Sequence, residues 1–360
     1  MSRAPFDIPR ATNLFGLDRG ELEAALAPHD PSRFRATQAY RWMYARGILD
    51  PRSWTDFPRA LRDRIAESVR VDPGRIAERT AAHDGTVKYR IELADGGAVE
   101  TVFLVQRDRI TLCLSSQVGC AIGCDFCLTA KMGLVRHLGP GEIVGQVTLV
   151  RADREFAGQP FRVVLMGMGE PLHNYDAVLA AVRLLGDPDG LGVSPRRVTL
   201  STSGLVPGIE RLATEPVRPR LAVSLNATTD DVRDRLMPVN RKYPIARLLD
   251  ACRAFARESG DRVTLEYVLL AGINDSDADA DRLARLARGV PAKVNLIPFN
   301  EVEDWLPYRR PPRAAVLGFR DRVSARGATA TIRWSRGVEA RAACGQLAVL
   351  AAPGSPRTGG

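Results

Sequence analysis

The feature that most limits the fold is an alternation, from about residue 110 onward, of short apolar runs with longer stretches of helical period. The apolar runs lie at 111–115, 162–168, 197–201, 220–225, 263–270 and 293–298; helical composition fills 142–151, 175–185, 206–213, 246–258 and 277–287. Strands that are apolar on both faces and separated by helices build a parallel sheet covered by helices. Six such units are too few for an ordinary eight-stranded barrel. The pattern therefore predicts an α/β fold, a partial (βα)6 barrel over 108–335, with its reactive centre at the C-terminal ends of the strands.

Two segments precede that region. Apolar residues recur at three- and four-residue spacing over 22–26, 37–44 and 60–68, with Pro28, Pro31, Pro51 and Pro58 as breaks, so 1–80 read as a small helical domain. Runs at 87–93 and 99–105 flank the turn Asp95-Gly96-Gly97 and predict a β-hairpin linker over 81–107. Residues 336–360 remain as a C-terminal loop, and 351–360, rich in Pro, Gly and Ser, read as a disordered tail.

Residues 1–9 carry Asp7 and two prolines where a signal peptide needs an apolar run, and no stretch has the roughly 18 apolar residues of a membrane span. The chain is expected in the cytoplasm, away from membranes. Its net charge is +9, and all but four of its 51 basic residues are arginine. Such an excess suits a phosphate-rich partner as well as a solvated surface.

Four of the six cysteines, Cys113, Cys120, Cys124 and Cys127, fall within fifteen residues; Cys252 and Cys344 stand apart. Clustering in a long chain argues for metal or redox chemistry rather than a disulfide framework. Cys120, Cys124 and Cys127 form C-x3-C-x2-C directly after the first barrel strand, and Gly119, Ala121 and Gly123 let that loop wrap tightly. Structural zinc closes its tetrahedron with four protein ligands, and iron–sulfur clusters usually take four cysteines. The nearest fourth candidates, Cys113 and His137, stand at no usual zinc-finger spacing. A 4Fe–4S cluster with one open iron accounts for the trio best; a zinc-type RNA-binding module without catalysis is the alternative.

The loop resembles that of the radical S-adenosylmethionine (SAM) superfamily, in which three such cysteines hold the cluster and the amino acid end of SAM binds the free iron. After the second strand comes Gly167-Met168-Gly169-Glu170-Pro171. Glycines there let backbone approach a ligand, and Glu170 can accept from an ammonium. The stretch is similar to the superfamily's GGEP segment, so the resemblance implies that Gly169 and Glu170 meet SAM. Ser201, Ser224, Leu225, Asn226 and Asn300, at the ends of later strands, look like its remaining contacts.

The words around Cys113 and Cys344, with Arg336-Gly337 and the early stretch from Phe34-Arg35-Ala36 to Trp42, resemble the RlmN/Cfr family of RNA adenosine methyltransferases over nearly the whole chain. The resemblance implies methylation of adenosine C2 in 23S ribosomal RNA and in transfer RNA, 3′ of the anticodon; a Cfr-like C8 reaction is the rival. In that chemistry a first SAM methylates Cys344 and a radical from a second SAM activates the S-methyl group. The carbon then adds to the adenine, Glu100 takes the ring proton, and Cys113 resolves the adduct by a disulfide with Cys344. A low-potential electron donor such as flavodoxin and a monomeric state are also implied. Arg333, Arg336 or Arg341 would help ionise Cys344. Arg33, Arg35, Arg41 and Arg46, near Tyr40, Trp42 and Tyr44, make the helical domain the expected RNA-contacting surface. The chain departs from the family at Asn226, commonly histidine, and over 338–341. Cys252 reads as a buried small hydrophobe.

Overall fold

The computed structural model describes residues 12–107, 109–302 and 305–349, so the expectations for 1–9 and for the 351–360 tail lie outside the described residues. The chain begins with helices α1 (Arg19–Leu26), α2 (Phe34–Tyr40) and α3 (Arg59–Ser68). Asp18 and Glu21 close a reciprocal cap at the start of α1, satisfying N–H groups that the helix itself cannot. Leu22, Leu26, Tyr40, Tyr44 and Trp54 are buried between these helices and the rest of the protein. Arg19 pairs with Asp187 and Asp189, and the Tyr40 hydroxyl donates to the Leu184 carbonyl, tying the helices to the barrel wall.

One ten-stranded sheet organises the remainder of the chain. Its antiparallel part is β1 (Arg75–Ala81), β2 (Val87–Glu92), β3 (Ala98–Gln106) and β4 (Arg109–Cys113). A separate two-stranded ribbon pairs β5 (Gln117–Gly119) with β6 (Leu134–His137). From β4 the main sheet continues in parallel through β7 (Phe161–Leu165), β8 (Val198–Thr202), β9 (Arg220–Ser224), β10 (Val263–Leu269), β11 (Ala292–Pro298) and β12 (Ala330–Ile332). Leu112, Val163, Val198, Val223, Leu265 and Val294 are wholly buried, each contributing about 1.5–3 kcal/mol by leaving water. Residues of β4 and of every strand from β7 to β12 line one lumen, so the sheet curls into an open barrel.

Helices cover the sheet: α4 (Leu128–Lys131), α5 (Pro140–Asp153), α6 (Tyr175–Gly186), α7 (Val206–Ala213), α8 (Asp230–Leu236), α9 (Ile245–Ser259), α10 (Asp277–Arg288) and α11 (Arg313–Ala325). Cys252 is buried in α9, among the barrel's core residues.

The structure corrects two expectations. Residues 75–81, placed in the helical domain, are strand β1; their mostly exposed, charged sequence Arg-Ile-Ala-Glu-Arg-Thr-Ala lacks the apolar alternation of a half-buried strand, as suits a sheet edge. The hairpin of 81–107 is not a free-standing linker, because β3 pairs with β4 and carries the barrel sheet outward. A seventh parallel strand, β12, also joins the six expected ones; with three residues and no buried side chain, it has no apolar run to betray it.

Candidate active site

The cysteine loop is pinched shut at its base. Gly119 has φ +76°, and a Cβ there would sit 1.8 Å from the Gly133 carbonyl, so only glycine lets β5 and β6 close. Cys120, Cys124 and Cys127 all line a cavity of about 160 Å³ at the C-terminal ends of the barrel strands. All three are unbridged thiols. Desolvation pushes the Cys120 thiol up to about 12, raises Cys124 well above its ordinary value and raises Cys127; the neighbouring cysteines reinforce the rise at each. Three thiolates so placed need a strongly positive group among them.

The same upper chamber gathers most of the expected cofactor contacts: Gly169, Glu170, Ser201, Ser224, Asn226 and Asn300. Gly169, at φ +105°, leaves no room for a Cβ against Gln117, which holds the Glu170 N–H through its side-chain oxygen at 2.7 Å. Glu170 is buried and accepts from the N–H groups of Ser203 (2.7 Å) and Leu172 (3.0 Å); burial nevertheless raises its pKa, and these bonds oppose the rise. Asn226 adopts φ +56°, a conformation asparagine tolerates, and its amide oxygen accepts from Val268 N–H at 2.8 Å. Leu225 differs from its neighbours. Its side chain is in the core and it does not line the chamber; its N–H donates to the Glu266 carbonyl and its carbonyl accepts from Arg233.

Cys344 lies where two chambers meet. It lines the upper one and also a larger cavity of about 510 Å³ that opens toward the N-terminal ends of the strands. Cys113, at the end of β4, lines the lower chamber, with its thiol pushed up to about 12 by burial and by Cys344. Arg333 is held above its usual pKa first by Cys344, then by Glu266 and Cys113, against the cost of burial. Of the three arginines proposed beside Cys344, Arg333 is the one that reaches it: Arg336 is turned to Asp84 and the Val105 carbonyl, and Arg341 is exposed. The segment carrying Cys344 is strapped to its surroundings by five hydrogen bonds, one of them from Ala348 N–H to Glu100. Leu128 N–H donates to the Gly345 carbonyl, Thr129 to Leu347, Gln346 to Glu301, and Asn300 to Cys344 itself at 3.1 Å.

Glu100 lines neither chamber. It is buried behind the strap, with Lys88 Nζ at 2.8 Å from one oxygen and Ala348 N–H donating to the other at 3.0 Å. Burial raises its pKa, and Lys88 opposes the rise. His137 hydrogen-bonds Gln117 and packs edge-on to His173, and Cys113 belongs to the lower chamber, so neither expected fourth ligand faces the thiol trio.

Comparison with known proteins bears on this geometry. The sequence model of the Radical SAM superfamily matches residues 114–284, and that of the ribosomal RNA large subunit methyltransferase N-terminal domain matches 12–71. The chain is 49% identical over 351 residues to the dual-specificity RNA methyltransferase RlmN of Anaeromyxobacter dehalogenans (strain 2CP-C), covering 96% of this chain and 94% of that protein. It is 47% identical over 333 residues to the RlmN of Geobacter sulfurreducens, covering 92% and 91%. The chain belongs to the RlmN family. A radical SAM methyltransferase of Sphaerobacter thermophilus has the same fold, with TM-score 0.89 and 46% identity, covering 93% of this chain and 99% of that one.

As a radical SAM protein, this RlmN family member carries a 4Fe–4S cluster and SAM, and the upper chamber suits both. Among the described residues no three His, Cys, Asp or Glu side chains gather as ligands for a single ion, whereas the cysteine trio rings a cavity. The buried Ser203 hydroxyl lies beside Glu170 in the wall of that cavity. Sequence reasoning missed Arg233, Glu266 and Lys88. Arg233 is fully buried and donates to the Ser203, Ser224 and Leu225 carbonyls, fixing two strand ends of the chamber. Glu266 lines both chambers and accepts from Asn295. Nothing in a single sequence distinguishes these three from surface charges.

Proposed function

We propose that this chain methylates C2 of adenosine in 23S ribosomal RNA and, in transfer RNA, of the adenosine 3′ of the anticodon. The observation that carries the reading is the place of Cys344 on the boundary of both chambers, facing the thiol trio on one side and Cys113 on the other. Cys120, Cys124 and Cys127 would hold the cluster; Gly169, Glu170, Ser201, Ser224, Asn226 and Asn300 would hold SAM, with Leu225 placed behind them. When bound, these groups supply the methyl group and the one-electron chemistry that activates it, which an electron-poor ring carbon requires.

Cys344 accepts the methyl group through its sulfur, with the half-buried Arg333 guanidinium lining the same chamber. Its S-methyl carbon gives up one hydrogen atom and becomes bonded to the adenine, joining RNA and protein; the surplus electron would pass to the bound one-electron group as the ring proton leaves. Glu100 removes the ring proton: Lys88 keeps the carboxylate ionised, and burial lifts its proton affinity toward that of a useful base. Its tie to Ala348 N–H links uncovering of the base to movement of the strap. Cys113 then attacks the Cys344 sulfur, breaking that sulfur's bond to the transferred carbon, which takes up a proton to become the methyl group; the RNA is released and the disulfide left behind must be reopened by the cell's reductants. A low-potential donor such as flavodoxin supplies electrons, and the protein works as a cytoplasmic monomer; among the described residues no helix is long and apolar enough to cross a membrane.

The test is nucleoside mass spectrometry after incubating reconstituted protein with SAM, reductant and each RNA. Appearance of 2-methyladenosine is the expected result. Appearance of 8-methyladenosine instead, or no release of 5′-deoxyadenosine, overturns it.

A further inference from the structure

The lower chamber opens at the end of the barrel opposite the thiol trio. Its mouth is built from the first residues of successive strands, and six exposed cations stand around it: Arg109, Arg162, Arg196, Arg197, Arg220 and Lys293. Among the described residues none of the six forms an ion pair or a side-chain hydrogen bond; Lys293 alone feels a carboxylate, the buried Glu266. Several arginines on the outer helices are paired instead: Arg322 with Asp277 and Asp281, Arg282 with Asp279, and Arg247 with Glu210. Like charges gathered within a Debye length of about 8–10 Å repel, and a polyanion relieves that repulsion. Trp334, 37% exposed at the same mouth with Arg313 over its ring, offers a flat face to a base.

On the N-terminal helices the residues expected to meet RNA are mostly engaged within the protein. Arg33, Arg35 and Arg41 are paired with Glu23, Asp30 and Asp189, Arg46 lies over Trp42, and Tyr40, Trp42 and Tyr44 are buried. Tyr40, Trp42 and Tyr44 are therefore core rather than stacking platforms, while Phe34, 54% exposed, already carries Arg35 over its ring.

We infer that RNA reaches the reaction through the N-terminal mouth of the barrel, its phosphates held by the six rim cations and its target base passing into the lower chamber toward Cys113 and Cys344. The inference rests on the proposed RNA chemistry and adds the route and the surface. A volume of about 510 Å³ lies within the range of small-molecule sites, ample for one extruded base. The cofactor groups occupy the opposite chamber, so base and cofactors approach Cys344 from different sides.

The test is RNA binding by the reconstituted full-length protein, using a synthetic RNA hairpin with a loop adenosine, titrated across salt. Each single-strand phosphate contact adds about 0.7 to the log–log salt slope. Arg196→Gln/Arg197→Gln should therefore bind more weakly and lower the slope by about 1.4. The affinity lost between about 50 and 200 mM salt then shrinks roughly seven-fold. Trp334→Ala should cost five-fold or more in affinity, about what one stacked base contributes. Arg33→Gln/Arg41→Gln, on the N-terminal helices, should keep the wild-type slope. A wild-type slope in the rim variant, or a slope lost only in the helix variant, overturns the inference. Assaying methyl transfer with the same preparation separates the two claims: rim-dependent binding without methylated product sinks the proposed reaction and leaves the route standing.

Discussion

Replacing Arg233 with methionine tests the claim that one buried cation shapes the cofactor chamber. Arg233 has no solvent exposure and donates to the carbonyls of Ser203 (2.7 Å), Ser224 (3.0 Å) and Leu225 (3.0 Å) and to the Asn240 side chain (3.0 Å). Methionine fills similar space but donates nothing, leaving three backbone acceptors and one amide oxygen without this partner. Each unsatisfied buried group costs about 1–3 kcal/mol. Against that stands relief of the guanidinium's own desolvation, which already depresses its pKa to about 10. The net loss should be about 3–5 kcal/mol, as for breaking other buried charge networks. At about 2.1 cal/mol/K of unfolding entropy per residue, 360 residues convert this to a fall in Tm of about 4–7 °C. Calorimetry reads the melt, and equilibrium dialysis of the cluster-loaded protein reads SAM affinity, which should fall with it because Ser203 and Ser224 line the chamber. Arg233→Lys keeps the charge without the fork and should fall between wild type and the methionine variant. A methionine variant melting within about 1 °C of wild type, with unchanged SAM affinity, would refute the reasoning.

The site makes four other outcomes measurable. Cys124→Ser should lose the brown iron–sulfur absorbance near 400 nm while keeping its far-ultraviolet dichroism; retained colour contradicts the assigned ligand set. Cys344→Ala should keep that colour yet transfer no methyl group to RNA, and wild-type transfer would eliminate the carrier role. Arg333→Met should slow iodoacetamide labelling of Cys113 at pH 9 by about three- to ten-fold, since Cys113 loses the cation that opposes its raised pKa; an equal or faster rate contradicts the electrostatics. Glu100 is raised above its ordinary pKa, so its folded state binds the proton more tightly and its contribution to stability is full below the unfolded value and lost as pH rises through the folded one. Wild type should accordingly lose stability relative to Glu100→Gln across that acidic window in a Tm–pH series, and a difference curve of opposite slope contradicts the assignment.

The sequence shows its strands where burial is two-sided. The expected runs at 111–115, 162–168 and 263–270 overlap β4, β7 and β10 because both faces of these strands pack against other atoms, which selects continuous apolar residues. β1 and β12 escape because an edge strand needs only backbone partners. Helix α8 escapes for another reason: its sequence Asp-Asp-Val-Arg-Asp-Arg-Leu looks like a solvated face, yet Arg233 is its most important buried side chain. The cysteine motif was legible because three thiols at fixed spacing have few other uses. That Cys113 and Cys344, over 200 residues apart, meet across one chamber is tertiary information, reached from sequence only through family resemblance.

The strap explains why the reaction's groups can be distant in sequence and still act together. Between Cys344 and Ala348 it bonds to Asn300 of the upper chamber, to Leu128 and Thr129 beside the thiol loop, and to the buried Glu100 carboxylate. Each tie is a single hydrogen bond, worth only about 0.5–1.5 kcal/mol net, so each can be exchanged without unfolding the barrel. A rigid strand in that position would fix Cys344 toward one chamber. A loop anchored by the buried Ala342, Ala343 and Leu347 instead keeps the thiol at the boundary while leaving its direction adjustable. Under the proposed reaction Cys344 receives a methyl group on one side and surrenders it on the other, a task that calls for that combination and that an irregular segment serves better than regular secondary structure.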